Sequence, residues 1–430
     1  MYQQQVAVVG GGAAGHFLAI RLKELCPRVR VVIVERARRV LAKVKVSGGG
    51  RCNVTNTFAA VQDLGQVYPR GAKLLKRTFR AFDHEAAWEW FEGQGVPLVA
   101  QEDECVFPRS QQSDSIIMAL TRRAQQLGVE TVTGVSVEAV EREGEAFVLR
   151  CGLGQVARER WTAVAVTTGG APKGEGHAWL AALGHKMEAP CPSLFTFEVQ
   201  DAALTALMGI VVEGAQLAIA GTKWRSEGAL LLTHWGMSGP ATLKLSAHAA
   251  RYLHEHDYRA PLLVSWLGTP QTEVALQELL RLQGEAGHRL LGNVRPEGLQ
   301  TRLWHYLLQR SGLMPERPWS EVGRKGLNRL ANTLTADAYE ISGRGAWKEE
   351  FVTCGGVALS SVDAARMESR VCRGLFFAGE VLDIDGVTGG FNFTAAWSTA
   401  WVAAEGLAQH LVALHGEGES AEGFSLHEKG

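Results

Sequence analysis

The sequence contains no CxxC pair and no regular cysteine framework, although it has seven cysteines in 430 residues. An odd number of cysteines without zinc-type spacing is typical of reduced thiols in a cytoplasmic protein, and it argues against a disulfide-stapled secreted domain. No H-x-x-H or Cys/His grouping has the spacing of a metal site. We therefore predict reduced cysteines and no bound metal.

Long hydrophobic runs are absent as well. No apolar segment reaches the ~18 residues required to cross a bilayer, and the N-terminal stretch MYQQQVAVVGGG has neither a basic region nor a cleavable apolar core. The formal net charge of −1 excludes a uniformly basic coat for nucleic acid, but it leaves room for a local basic patch. We expect a cytoplasmic protein without a membrane partner.

The N-terminus carries the pattern of a βαβ unit. An apolar run over 6–9 ends in glycines, a helical pattern follows over 13–25, and a second apolar run over 29–34 ends at Glu35. The turn reads G-x-G-x-x-G from Gly10 to Gly15, and Glu35 stands 20 positions after Gly15. In such a unit a pyrophosphate approaches the helix N-terminus and the acid binds ribose hydroxyls. A glycine-rich turn in an unrelated α/β fold is the alternative.

A related pattern returns near the C-terminus. The run GLFFAG over 374–379 predicts a buried strand, and an acidic loop, a glycine turn over 386–390 and a helix starting near Asn392 follow it. This order fits the second half of an FAD site, which makes the differently patterned middle of the chain an insertion. We predict an FAD-binding domain in two parts, 1–190 and 349–415, a substrate or cap insert over 191–348 with strands before helices, and a frayed tail over 416–430.

Two further stretches carry local predictions. The short runs SVEAV, AFVLR and WTAVAV predict an antiparallel meander in the first part of the FAD-binding domain. The stretch VKVSGGGRCNVTN at 44–56 places three consecutive glycines beside a thiol. Because a glycine triplet costs conformational entropy to order, this bare backbone indicates that a ligand comes very close to it.

Five stretches together resemble the BaiN/YhiN-like flavoproteins, the aminoacetone oxidase family of FAD-binding enzymes. They are VVGGGAAG at 8–15, SGGGRCNVTN at 47–56, LLLTHWGMSGPA at 230–241, VTCGGV at 352–357 and GLFFAGEVLDIDGVTGGFN at 374–392. The resemblance implies one FAD in an α/β, glutathione-reductase-like Rossmann domain that a β-barrel and helical insert interrupts. The chain departs from the family pattern at Leu41-Ala42, Lys45 and Glu104-Cys105.

The resemblance also implies where FAD lies. The glycine triplet would run near its pyrophosphate, ribityl chain or ring, and Asp383 or Glu380 would bind ribityl hydroxyls. Gly389-Gly390 would direct the next helix N-terminus at the flavin's N1–C2=O edge, where the helix dipole stabilises reduced flavin by ~0.3–2 kcal/mol. The predicted FAD-contacting residues are Gly10, Gly12, Ala13, Ala14, Gly15, Glu35, Arg36, Lys43, Gly48, Gly49, Gly50, Arg51, Thr168, Gly169, Gly379, Glu380, Asp383, Gly389, Gly390, Phe391 and Asn392.

Cys52, Asn53 and His234 are the candidate catalytic residues. The Cys52 thiol is either a small buried hydrophobe or a general acid near flavin N5, because a thiol with a pKa of about 8.5 is protonated at pH 7. Asn53 either orients a substrate carbonyl or satisfies the backbone of its own loop. His234 either serves the substrate as an acid, base or hydrogen-bond partner, or stabilises its loop. Arg51 either offsets phosphate charge or pairs with a surface carboxylate.

No second strand–GxGxxG–helix unit follows the first. We therefore predict no dedicated NAD(P)H domain, so that nicotinamide would dock transiently or another reductant would reduce the flavin.

Two basic segments bear on the substrate. Their cations are Arg28, Arg30, Arg36, Arg38, Arg39, Lys43, Lys45 and Arg51 in the first, and Arg70, Lys73, Lys76, Arg77 and Arg80 in the second. Such stripes suit the phosphate backbone of ribosomal RNA, and the family resemblance implies reduction of a large-subunit rRNA uridine to dihydrouridine. The alternatives are a flavin oxidase or reductase of a small metabolite and a non-catalytic flavoprotein, with the cations as FAD partners or solvated surface.

Overall fold

The computed structural model describes residues 4–152, 156–171, 177–345 and 352–423, and from 415 onward only the backbone. Its strands are β1 Gln5–Val9, β2 Arg30–Glu35, β3 Thr55–Asn56, β4 Leu98–Ala100, β5 Cys105–Pro108, β6 Glu130–Thr133, β7 Val137–Glu143, β8 Ala146–Cys151, β9 Ala163–Val166, β10 Met187–Ser193, β11 Phe197–Val199, β12 Val211–Ile219, β13 Arg225–Thr233, β14 Gly236–Ser238, β15 Ala260–Ser265, β16 Asp337–Arg344, β17 Val352–Val357, β18 Val362–Asp363, β19 Glu368–Ser369 and β20 Leu375–Phe377.

The α-helices, in chain order, are α1 Ala13–Leu25, α2 Ala42–Gly50, α3 Ala72–Thr78, α4 His84–Gly93, α5 Asp114–Gln126, α6 Ala178–Ala182, α7 Ala202–Thr205, α8 Pro240–His248, α9 Ala250–Glu255, α10 Thr272–Ala286, α11 Thr301–Arg310, α12 Arg324–Ala336 and α13 Phe391–Gly423. The chain divides into two compact units. We call 1–191 with 352–430 the Rossmann unit, and 192–351 the barrel unit.

The Rossmann unit is built on a seven-stranded sheet in the order β18-β19-β20-β9-β1-β2-β6. The strands from β20 to β6 are parallel, and β18 and β19 add an antiparallel edge. Helix α1 links β1 to its parallel neighbour β2. The βαβ unit predicted from the N-terminal pattern is therefore confirmed, and the helix has the predicted bounds.

The antiparallel meander forms only in part. Strands β7 and β8 pair antiparallel, but β9, which lies in the WTAVAV run, pairs parallel with β1 and β20. The prediction of a third meander strand was wrong. All four residues of β9 are buried, and such a continuous apolar strand belongs in a parallel sheet that is covered on both faces.

The last helix, α13, begins directly after the glycine turn, as predicted, and packs along α1. It continues to Gly423, so the backbone of 416–423 is helical where a frayed tail was expected, and 424–430 lie outside the described residues. Aromatic rings fill the region around the helices: Phe17 of α1 lies with its ring centroid 5.3 Å from that of Trp397 of α13 and 4.7 Å from that of Trp90 of α4.

The barrel unit contains a closed six-stranded barrel in the order β11-β14-β13-β12-β15-β16, which the pairing of Phe197 with Arg344 completes. All neighbouring strands are antiparallel. Helices α10, α11 and α12 contribute apolar faces to the same core as the barrel strands. A Rossmann fold with a β-barrel and helical insert is thus confirmed.

Candidate functional site

The turn between β1 and α1 requires glycine at positions 10 and 15, which are the first and third glycines of the G-x-G-x-x-G pattern. Gly10 has φ +114°, and a Cβ on Gly15 would lie 2.0 Å from the carbonyl oxygen of Gly10. Gly12 is the N-cap of α1 and provides no side-chain acceptor, and the first turn carries no acidic residue. The N–H groups of Ala13 and its neighbours at this helix start are therefore suited to bind an anion such as a pyrophosphate.

Glu35 is fixed beside this turn by two backbone N–H groups. Its carboxylate accepts hydrogen bonds from the N–H of Gly11 at 2.7 Å and from the N–H of Ala37 at 2.8 Å. A carboxylate has about four acceptor positions, so Glu35 retains capacity for ribose hydroxyls. The next residue, Arg36, is exposed.

Several predicted residues from distant parts of the chain meet beside the α1 turn. Glu380 accepts a hydrogen bond from Lys43 Nζ at 2.7 Å and another from the N–H of Thr353 at 2.8 Å. A Cβ on Gly379 would lie 2.9 Å from the Cβ of Ala14, and a Cβ on Gly169 would lie 3.7 Å from Glu380 Oε2. Bare backbone at these glycines lets the three loops approach.

Other predicted residues in this region already have partners inside the protein. Thr168 Oγ1 hydrogen-bonds with His177 Nε2 at 2.9 Å, and Asp383 Oδ1 accepts from the N–H of Gly355 at 3.1 Å. Asn392 bonds Gly386 through both amide atoms, at 2.8 and 2.9 Å, and so closes the glycine turn. These contacts order the loops, and direct FAD contacts of these residues stay predictions.

The glycine triplet ends α2 in a run of left-handed residues. Helix α2 starts next to the α1 turn, where the Leu41 N–H donates to the Gly11 carbonyl at 2.9 Å. After Ser47 the backbone is no longer helical, with φ of +56°, +68° and +85° at residues 48–50. This conformation strongly favours glycine. Apart from its chain neighbours, no atom of the described residues lies within 4 Å of a Cβ built on Gly49 or Gly50, so the backbone there faces open space that a ligand can occupy.

The stretch that follows the triplet meets the C-terminal glycine turn. Asn56 Nδ2 donates to the carbonyl of Gly389 at 3.0 Å. A Cβ on Gly390 would lie 2.2 Å from the carbonyl oxygen of Thr55 and 2.8 Å from Asn53 Oδ1. The two most distinctive glycine loops of the sequence, more than three hundred residues apart, therefore form one site.

Asn53 Oδ1 is buried and has no hydrogen-bond partner within the described residues. The rest of the side chain hydrogen-bonds with the thiol of Cys105, whose pKa rises to about 11, mainly through burial and then through Asp103. An unsatisfied acceptor is costly, and because Oδ1 has no accessible surface beside Gly390, a ligand donor reaches it only if the adjoining loop shifts. An imide N–H, which both flavin and uracil possess, is a donor of the required kind.

Cys52 lies next to Asn53 but faces protein. Its side chain is 0% exposed, its φ is +64°, and burial raises the pKa of its thiol to about 12. The thiol is protonated at neutral pH, as a proton donor must be, yet no surface of it is accessible. This geometry favours the packing alternative, and a role as general acid stays a prediction.

Arg51 does not take the second of its two predicted roles, pairing with a surface carboxylate, within the described residues. Its guanidinium lies 4.2 Å from the ring centroid of Phe107 and donates to the carbonyl of Gly48 at 3.1 Å and to Gln111 at 3.3 Å. No carboxylate pairs with it within the described residues. Its contacts hold the left-handed triplet against β5, and contact with FAD stays a prediction.

His234 lies in the barrel unit, in the turn between β13 and β14 that the sequence predicted. It is exposed, and its ring lies against that of Trp235 with centroids 4.5 Å apart. The two side chains line an open surface depression of about 490 Å³ together with Glu198 and Asp201. A catalytic role of His234 stays a prediction.

Residues 67–71 pack against the C-terminal glycine turn, and the sequence did not predict this contact. Arg70 makes a bidentate ion pair with Asp385, whose side chain is fully buried. Tyr68 donates its hydroxyl to the carbonyl of Phe391 at 2.8 Å, and both rings pack together. The interpretation of Arg70 as part of a surface stripe was wrong, because a buried carboxylate holds it. The acidic run around Asp385 was the available signal.

Three of the eight cations of the first basic segment form salt bridges within the protein. Arg30 binds Glu130 and Glu159, Lys43 binds Glu380, and Lys45 binds Asp114. Arg36, Arg38 and Arg39 remain exposed in the loop after Glu35. The second segment keeps its exposed cations on and just after α3; they are Lys73, Lys76, Arg77 and Arg80.

The described residues contain neither a candidate metal site nor a candidate membrane-spanning helix. No three His, Cys, Asp or Glu side chains among them are grouped so that they could hold a metal ion. Among the helices of the described part of the chain, none combines the length and apolar character needed to cross a bilayer.

A parallel Rossmann sheet, a G-x-G-x-x-G turn with its acid, and a second glycine turn at a helix start define an FAD-dependent oxidoreductase. The residues fit the cofactor: α1 offers uncapped N–H groups, residues 49 and 50 offer unobstructed backbone, and Asn53 offers an unpartnered acceptor. FAD supplies two-electron hydride chemistry. The sequence pattern of the HI0933-like protein Rossmann domain family matches residues 4–406, and the chain belongs to this family. The resemblance to these flavoproteins is thereby confirmed.

Two relatives and one solved structure are similar along almost the whole chain. A 3-dehydro-bile acid delta(4,6)-reductase of Clostridium scindens is 25% identical over 416 residues, which are 94% of this chain and 99% of that protein. A ribosomal RNA dihydrouridine synthase of Haemophilus influenzae is 26% identical over 418 residues, 92% of this chain and 96% of that protein. A 3-ketosteroid delta1-dehydrogenase from Sterolibacterium denitrificans is 12% identical, with a TM-score of 0.49 over 95% of this chain and 100% of that chain.

Proposed function

We propose that the protein reduces the C5=C6 bond of a uridine in large-subunit ribosomal RNA to give dihydrouridine. Bound FAD would supply the hydride for C6, a proton would add to C5, and an external reductant would restore the reduced cofactor. Because no dedicated nicotinamide domain follows from the sequence, NAD(P)H would dock transiently or another reductant would act.

The observation that carries this proposal is the group of exposed cations on the Rossmann unit. Lys73, Lys76, Arg77 and Arg80, on and just after α3, are exposed and make no salt bridge within the described residues. The whole chain has a net charge of −1, yet these unpaired cations are concentrated near the candidate cofactor site. A polyanionic substrate accounts for that concentration.

The unpartnered amide of Asn53 also supports a pyrimidine substrate. The Oδ1 atom requires a donor, and uracil presents its N3–H next to the C4 carbonyl that activates the C5=C6 bond. The thiol of Cys105, which hydrogen-bonds the same side chain and remains protonated with a pKa of about 11, is available as a proton source beside it.

A second candidate function is reduction of a conjugated carbonyl compound of small size. The bile-acid reductase among the relatives favours it, and so do the salt bridges that occupy three of the eight cations of the first basic segment. In this reaction the barrel unit would act as a cap, with His234 as the residue to test on its surface.

An anaerobic reoxidation experiment separates the two functions. The bound flavin is reduced with dithionite, the excess is removed, and unmodified ribosomal RNA or a steroid dienone is added while the oxidised-flavin band near ~450 nm is followed. We expect rapid reoxidation by RNA with one dihydrouridine formed per flavin, and little reoxidation by the dienone. Reoxidation by the dienone alone would assign the chain to the small-molecule function.

A further inference from the structure

We infer that the exposed face of α3 is the surface that binds the phosphodiester backbone of the RNA. This α3 basic face consists of Lys73, Lys76 and Arg77 on the helix and Arg80 in the turn that follows. The inference rests on the proposed function and adds to it the place where the substrate docks.

The spacing of these cations puts them on one side of the helix. Positions three and four apart share a helix face, whereas Leu74, Leu75 and Thr78 are buried on the other side. From Lys73 to Arg80 the chain advances about 10 Å at 1.5 Å per residue, which is long enough to contact more than one phosphate of a strand. The face therefore matches a short stretch of one RNA strand.

The clustering is unfavourable for the helix itself. Like charges three or four positions apart destabilise a helix by about 0.2–0.5 kcal/mol per pair, and Lys73 makes such pairs with both Lys76 and Arg77. Within the described part of the chain no carboxylate forms a salt bridge with any of the four cations. The helix dipole favours Lys76 and Arg77 in the last turn, and an anion outside the protein would relieve the repulsion further, as a phosphate backbone can.

The start of α3 is attached to the candidate site. A Cβ on Gly71 would lie 2.6 Å from Ile384, and the N–H of Val387 donates to the carbonyl of Val67 at 2.8 Å. The same loop continues to Gly390, which adjoins Asn53. An RNA strand bound along α3 would therefore lie close to the two glycine loops, and one of its bases could enter the candidate site between them.

The exposed cations of the first segment have a different position. Arg36, Arg38 and Arg39 follow Glu35, whose carboxylate is bonded to the dinucleotide turn. We assign them to the nucleotide end of the cofactor site. The exposed cations of the first basic segment would then bind the cofactor, and those of the second would bind the substrate.

The experiment compares three sets of variants of the FAD-loaded full chain. The test set is Lys73→Gln/Lys76→Gln/Arg77→Gln. A matched control is Arg324→Gln/Lys325→Gln on α12, where both cations are exposed, and a second comparator is Arg36→Gln/Arg38→Gln/Arg39→Gln. For each, the Kd of a large-subunit rRNA fragment is measured across salt concentrations, with FAD content and flavin reoxidation by ferricyanide as checks on folding.

We expect the α3 triple variant to keep its FAD and its ferricyanide rate but to bind RNA at least about tenfold more weakly. The slope of log K against log salt concentration should become less negative by about 2, because each of the three lost single-strand phosphate contacts accounts for about 0.7. The α12 control should bind RNA as the wild type does. The Arg36 set should change FAD affinity more than RNA affinity.

The outcomes separate this inference from the proposed function. Wild-type RNA affinity and salt slope in the α3 triple variant would overturn the inference, even if RNA reoxidises the flavin. Loss of RNA binding in that variant, with no reoxidation of wild-type flavin by RNA, would support the surface and refute the reductase. Stronger α3-dependent binding of a polyglutamate peptide than of RNA would assign the face to an acidic protein and overturn the inference.

Discussion

Valine at position 49 would show whether the glycine triplet serves the cofactor or only its own backbone. Gly49 has φ +68°, and no protein atom lies within 4 Å of a Cβ built there. Gly95, at the end of α4, has φ +80° and equally free surroundings. A non-glycine residue in this left-handed region costs about 1–2 kcal/mol, so Gly49→Val and Gly95→Val should destabilise the apoprotein by similar amounts.

The two variants should differ in FAD binding. Only at Gly49 would the added side chain enter the space that the cofactor needs, so we expect its Kd for FAD to rise at least about tenfold, or ~1.4 kcal/mol. Gly95→Val should bind FAD as the wild type does. Urea unfolding of the apoproteins gives the strain, and titration with FAD followed by flavin fluorescence gives the affinity.

Equal FAD affinity in the two variants would refute the reasoning. The triplet would then be explained by its left-handed conformation alone, and the site would have to be placed elsewhere along the loop. A much larger stability loss at Gly49 than at Gly95 would also contradict it, because the structure shows no steric difference between the two positions.

Three further predictions concern the side chains around the glycine loops. Arg70→Met should cost about 3–5 kcal/mol of unfolding free energy because the buried Asp385 carboxylate loses the guanidinium that pairs with it. Urea unfolding should show that Arg70→Met/Asp385→Leu recovers most of that loss. Asn53→Leu should lower the unfolding free energy of the apoprotein by no more than about 1 kcal/mol. It should, however, weaken FAD binding or slow flavin reoxidation by substrate. If both the FAD Kd and the reoxidation rate stay at wild-type values, Asn53 only stabilises its loop. Cys52→Ala should reoxidise at the wild-type rate in stopped-flow absorbance, and a clear slowing would instead make Cys52 the acid.

Cys52 also has a pH signature. Burial raises the pKa of the folded-state thiol to about 12 from an ordinary value of 9.0, so its protonated form contributes stability that is complete below pH 9. That stability is lost as the pH rises towards 12, at up to ~1.4 kcal/mol per pH unit. Between pH 9 and 10.5 the unfolding free energy of the wild type should therefore fall more steeply than that of Cys52→Ala. Parallel curves would show that the thiol is not buried as described.

Local patterns explain which parts of the site could be predicted. The spacing from Gly10 to Glu35 is a property of one continuous βαβ unit, so periodicity and glycine positions were sufficient to place it. The contact of Gly390 with Thr55 and Asn53 joins segments that no local pattern relates. Arg70 looked like one more cation of a helical stripe, and only the tertiary fold places it against Asp385. For the same reason β9 was assigned to the wrong sheet, since its partners lie far away in sequence.

The chemistry of the site alone does not choose between the two substrate classes. The C5=C6 bond of uracil is conjugated to the C4 carbonyl, as the double bond of an enone is to its ketone, so hydride transfer with protonation of the adjacent carbon serves both. What differs is how the substrate reaches Asn53 and Gly390. A small acid such as a bile acid has one carboxylate to pair with a cation, whereas an RNA strand gains phosphate contacts at each of the four exposed cations. The α3 basic face is therefore the feature on which the substrate assignment depends.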